Sequence, residues 1–126
     1  MLSAWNKIKE LINKKQNILN ITTGIEYETG RIIDGKKEYA KRFNCGNGPN
    51  NETIQVETGL TNVKYTKIEG MAYTTSIFFP LNMVRPIGKT DSTSIGVYVS
   101  ANKILIESAI DRSAFTIVVD VYYLKN

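Results

Sequence analysis

The 126-residue sequence predicts an all-β domain, either a sandwich or a barrel, preceded by one α-helix. Three observations carry this. The apolar period changes from helical to a period of two near Gly24. Seven or so short runs rich in β-branched and aromatic residues follow. The segments between them carry glycine, proline, asparagine and serine, the residues that turns need.

The helix comes first. Ser3 can cap it, no Gly or Pro interrupts residues 1–20, and Leu2, Trp5, Ile8, Leu11, Ile12, Ile18 and Leu19 recur among Lys and Asn. Trp5, Ile8, Ile12, Lys15 and Leu19 follow a 3-4-3-4 spacing, a short coiled-coil seam with one lysine in it. Isoleucine at both kinds of core position favours three or four strands over two. The same residues could instead face the chain's own domain. A helix of roughly 17 residues spans about 26 Å, which would project from a small domain, and such a length is marginal alone in water.

The strand pattern begins after Gly24. Asp34-Gly35 between Ile32-Ile33 and Tyr39 to Phe43 is a hairpin signal, because glycine accepts the positive φ of a type I′ turn. Thr53 to Val56, Val63 to Ile68 and Met71 to Phe79 are three further expected strands. In Ser94 to Ser100, Ile95, Val97 and Val99 share one face and Gly96 and Tyr98 the other. Lys103 to Ser108 follows across a tight Ala101-Asn102 turn. In Ala114 to Tyr123, Phe115, Ile117, Val119, Val121 and Tyr123 point inward, while Asp120 marks the opposite face as solvent or an interface. The expected connections are Cys45 to Asn51, Pro80 to Pro86 and Gly88 to Thr93.

Composition removes several function classes. No stretch has the roughly 18 to 20 apolar residues of a bilayer span, and Lys7, Lys9, Lys14 and Lys15 stand where a signal peptide needs its apolar segment. The reading is a soluble chain without membrane insertion. The single Cys45 excludes an intramolecular disulfide, and the absence of histidine removes the commonest zinc and acid–base component. The net charge of +4 resides in residues 1–42, with nine Lys or Arg against five acids, while the rest balances. With no stacking aromatic series or known motif beside it, this basic segment reads as a solvated face, with no nucleic acid as partner.

The catalytic and nucleotide motifs fail on their spacing. Gly88-Lys89-Thr90 ends like a P-loop, but Met83 stands where the earlier glycine is needed. Gly46-Asn47-Gly48 begins like a dinucleotide fingerprint, but its third glycine position is Asn51 and no helix pattern follows. Glu69, Asp91, Glu107 and Asp111 read as surface acids rather than a hydrolytic pair. Cys45 has no histidine to activate it and reads as a packed side chain. Asn20-Ile21-Thr22 and Asn51-Glu52-Thr53 match the glycosylation pattern but are expected to be unmodified. No enzymatic activity, metal site or cofactor is expected.

Seven tyrosines remain, each with a flat apolar face and a polar edge suited to sugars and protein partners, and Tyr98 is the best surface candidate. Several blocks together resemble the C-terminal head domain of tail-fibre and receptor-binding proteins in phages of low-GC Gram-positive bacteria. They are Thr29 to Lys36 followed by Tyr39, Lys41 and Phe43; Gly48-Pro49-Asn50; Lys67 to Gly70; and Asp111 to Thr116 leading to Val121-Tyr122-Tyr123. The resemblance spans roughly residues 22–126. Ile32 stands where the family usually has tryptophan, and Lys37 where proline is frequent.

The resemblance implies a β-sandwich, commonly trimeric, exposed on a virion, often binding host-surface saccharide and without enzymatic activity. Together with the helical seam, it sets the expectation. Residues 1–23 form a helical stem in a short trimeric coiled coil, and residues 24–126 form an antiparallel, jelly-roll-like β-sandwich head. Trp5, Ile8, Ile12 and Leu19 carry trimerisation, and Arg85, Asp91, Asp111 and Arg112 with Tyr98 contact ligand. Asp111-Arg112 also reads as a structural turn. The expected protein is a homotrimeric phage fibre made in the bacterial cytoplasm and attaching to envelope saccharide. The alternative is a structural virion protein, such as a head fibre, capsid decoration or baseplate appendage, whose helix binds other virion proteins and which has no host ligand.

Overall fold

The computed structural model describes residues 3–10, 21–81 and 95–126. Residues 3–10 are helical. Eight strands follow among the described residues: β1 (Tyr27–Ile33), β2 (Lys36–Asn47), β3 (Thr53–Glu57), β4 (Val63–Tyr73), β5 (Phe78–Leu81), β6 (Ile95–Ser100), β7 (Lys103–Ser108) and β8 (Thr116–Lys125). They form two antiparallel sheets, one ordered β1-β2-β8-β4-β5 and the other β3-β7-β6. β2 pairs with β8 and β3 with β7, so the chain's first and last halves interleave in both sheets.

Period-two alternation builds the core from both sheets. β8 contributes Ile117, Val119, Val121 and Tyr123, all fully buried, and the small sheet faces them with Ile95, Val97, Ile104 and Ile106. Tyr123 stacks on Tyr39 at 6.3 Å between ring centroids, and Phe115 meets Phe79 edge-on at 5.2 Å. The two expected hairpin turns are present, with positive φ at Asp34 and Gly35 and at Ala101 and Asn102.

Three expectations are corrected. Val63 to Ile68 and Met71 to Phe79 are not separate strands bounded at Glu69-Gly70. β4 runs unbroken to Tyr73, and the turn to β5 falls at Thr74–Ile77, closed by the Thr74 N–H donating to the Ile77 carbonyl at 2.8 Å. Gly70 belongs in this strand because a Cβ there would lie 2.9 Å from Leu81 and 3.2 Å from Val97. Cys45 to Asn47 lie within β2 rather than in a connection. The strand absorbs them through a bulge between Asn44 and Gly46, where Gly46 takes a φ of 73°. Asp120 faces neither solvent nor an open interface. It is 4% exposed and held in a two-pronged ion pair by Arg42 at 2.7 and 2.9 Å.

Candidate functional site

Three of the predicted ligand residues, Tyr98, Asp111 and Arg112, lie among the described residues, in different elements of the fold. Arg85 and Asp91, like the seam positions Ile12 and Leu19, lie outside the described residues. Tyr98 is half-buried in the middle of β6, opposite Leu105 of β7. Asp111 and Arg112 lie in the β7–β8 connection, where local geometry accounts for them. The Asp111 carboxylate accepts from the Ser113 N–H at 2.9 Å and the Ser113 hydroxyl at 2.6 Å, which holds its pKa below the usual carboxylate range. The Arg112 N–H donates to the Pro49 carbonyl at 2.8 Å, and Gly48 packs so closely that a Cβ would lie 2.3 Å from the Arg112 carbonyl oxygen. Asp111 to Ser113, one of the blocks that carry the resemblance, thus forms a turn that ties the β7–β8 connection to the segment at Gly48-Pro49.

The other chemically suggestive groups are dispersed. Glu69 in β4 pairs with Lys67 at 2.8 Å, Glu107 in β7 accepts from Thr53 at 3.4 Å, and Asp111 belongs to the turn just described. Among the described residues, no three His, Cys, Asp or Glu side chains are grouped as a metal site would need. Cys45 packs against the core, and burial pushes its thiol pKa up to about 11, away from the reactive range.

The outer face of the five-stranded sheet offers more. At one end lie polar pairs whose charges are spent on each other. Arg31 grips Glu38 at 2.8 and 2.7 Å, Thr66 donates to the same carboxylate at 2.8 Å, and Lys67 sits 4.6 Å from the ring centroid of Tyr122. At the other end Tyr73 of β4 stands opposite Phe78 of β5, with 37% and 65% of their surfaces in water. One side of Tyr73 opens into a recess with Thr74, Thr75, Ala114 and Thr116. Its other side opens into a groove with Thr23, Arg42, Met71, Phe78 and Val118. The recess combines an aromatic side chain with three threonines, of which Thr74 already accepts from the Ser76 and Ile77 N–H groups, and this lining suits an uncharged, hydroxyl-rich ligand. The groove is apolar, and its one cation is already bonded to Asp120.

Sequence reasoning missed this region because its parts lie at Thr23, in β4 and β5, and at the start of β8, and only the sheet order brings them together. The available signal was an aromatic-rich run, Tyr73 to Phe79, ending a strand without a charge. Among the described residues no helix is long and apolar enough to cross a membrane. Comparisons of the chain with protein-family models, with curated proteins and with solved structures gave no match.

Proposed function

We propose that this chain is a homotrimeric phage virion fibre protein, with the N-terminal helix as stem and the two-sheet domain as a head that attaches to host-envelope saccharide. The observation that carries the proposal is the exposure of the helix. Trp5 and Ile8, two positions of the heptad seam, are 54% and 48% exposed, every residue of 3–10 is exposed, and neither apolar side chain joins the core of the head. A short helix with its apolar stripe in water gains little stability from its own chain. Three such stripes buried against one another would stabilise it, and isoleucine-rich seams favour that number of strands or four. The stem could also hold the protein to its neighbours on the tail, baseplate or capsid surface.

The recess beside Tyr73 supports the adhesive part of the proposal. It is open to solvent, so single-site affinity would be modest, and three heads on one stem would convert it into avid attachment. Two experiments test the reading. Light scattering should give a mass near three chains for the full protein and a lower mass once residues 1–20 are removed. Labelled protein should adhere to host cells, and Ala114→Arg, which projects a long side chain into the recess from an exposed position, should reduce adhesion at least about tenfold, a change of about 1.4 kcal/mol. A trimer that decorates phage particles but never adheres to cells would instead identify a structural virion protein.

A further inference from the structure

If three stems associate, the heads are drawn together on the side where each stem joins its head, and that side carries the apolar groove. Two backbone hydrogen bonds fix the junction. The Ile25 N–H donates to the Thr22 carbonyl at 3.1 Å, and the Gly24 N–H donates to the Arg42 carbonyl of β2 at 2.8 Å, so the chain arrives alongside β2 at Arg42. Thr23, in that turn, is itself part of the groove wall beside Met71, Tyr73, Phe78 and Val118. Ile77 and Phe78, at the tip of the β4–β5 hairpin, are 54% and 65% exposed.

Charge separates this surface from Ile32, the most exposed large apolar side chain among the described residues. Gly70 to Val84 contains no charged residue, the longest such run in the chain. Arg42 is neutralised by Asp120 at the groove floor. At the opposite edge of the same sheet Ile32 is even more exposed, at 71%, but Arg31, Lys36 and Lys37 surround it in the hairpin, the usual protection of an edge strand. Among the described residues of β5 and the turn before it, Thr74 to Leu81, no charged side chain gives that protection. Aromatic and methionine side chains with charge excluded are the composition of the buried centre of an interface between proteins.

Resting on the trimeric reading above, we propose that the wall formed by Met71, Tyr73, Ile77 and Phe78 packs against the next copy of this chain, as the contact between heads beside the stem. A second copy fits better than other occupants. Among the described residues an anionic polymer finds no spare cation on this wall, and the basic stem, with Lys7, Lys9, Lys14 and Lys15, gains no opposite charge from them. Strand addition is disfavoured because β5 has only four residues and includes Pro80, which has no N–H to donate. Contacts around a three-fold axis are otherwise between unlike patches, but a wall that lies beside the stem, at the axis itself, converges with the same wall of the other two copies, so neutral meets neutral there.

The test uses the full chain. In a Cys45→Ala background, Phe78→Cys and, as a control at the far edge, Ile32→Cys are treated with a short bis-maleimide. Separately, dilution of wild type and Phe78→Glu is followed by light scattering. Phe78 is exposed enough for either change to leave the core intact, which circular dichroism checks. The expected result is efficient joining of chains through Phe78→Cys only, and dissociation of Phe78→Glu at a concentration at least about tenfold higher than wild type, the scale of losing a central aromatic anchor. Wild type at the mass of three copies, with no more joining through Phe78→Cys than through Ile32→Cys and with Phe78→Glu dissociating like wild type, would overturn the head contact and leave the stem standing. A wild-type full chain at the mass of one copy overturns both.

Discussion

Glu38 shows how one residue organises the outer face of the large sheet. Only 1% of it touches water, yet it is a carboxylate, so its charge must be compensated by neighbours. Arg31 grips both oxygens, and Thr29 and Thr66 donate at 2.9 and 2.8 Å. The Arg31 bonds, followed by those from the two threonines, outweigh the opposing effect of burial and hold the carboxyl pKa down at about 2. Because the folded value lies below the unfolded one, this contribution to stability is complete above about pH 5 and is lost as the pH falls toward 2. Arg31 is itself half in water, which trims the effect, so about 2 kcal/mol is expected to disappear over that window. Urea unfolding of wild type at pH 7 and at pH 3 should differ in this sense. Glu38→Gln should cost about 2 kcal/mol at pH 7 and should flatten the acid-dependent part. An unchanged acid slope in Glu38→Gln would show that another carboxylate is responsible.

At the scale of strands and turns, much of the fold was legible because the causes are local. Alternation along β8 placed Ile117, Val119, Val121 and Tyr123 inside from residue spacing alone, and the Asp34-Gly35 turn followed from the φ that glycine permits. What was not legible has distant causes. Asp120 is buried because its partner Arg42 lies 78 residues away, and β4 passes through Gly70 because Leu81 and Val97 press on it from two other strands. The Tyr73 recess and groove required the sheet order, which no local pattern carries. The β6–β7 turn offers a test at this scale. Ala101 and Asn102 both occupy the left-handed region, at φ of 51° and 60°, and alanine gains nothing there to offset the clash of its Cβ. Ala101 is exposed and Ser100 pairs with Lys103 on either side, so the turn itself is well fixed. Ala101→Gly is expected to raise stability by about 0.5–1 kcal/mol, the relief of strain less the greater freedom of glycine when unfolded. Denaturant midpoints of the two proteins would measure it, and a loss on substitution would mean that the Cβ makes a contact worth more than the strain.

For the whole molecule, the distribution of aromatic residues makes assembly directly observable. Trp5 is the single tryptophan and lies in the helix, while all seven tyrosines lie beyond Gly24, so selective excitation of indole reports on the stem without interference from the head. Within one chain Trp5 is 54% exposed, with the ammonium of Lys9 5.5 Å from its ring centroid, and should emit at long wavelength like an indole in water. If the seam closes between copies, Trp5 enters an apolar layer with Ile8, and its emission must move to shorter wavelength as concentration rises. Association also couples stability to concentration, since folded trimer and separate chains differ in particle number. The wavelength change and the rise in thermal midpoint should therefore share one concentration dependence. Ile8→Glu, which places a charge in the seam without touching the head, should abolish both while leaving the β-sheet circular dichroism in place. Emission that stays at long wavelength at every concentration would leave the helix free in solution and overturn the closed seam.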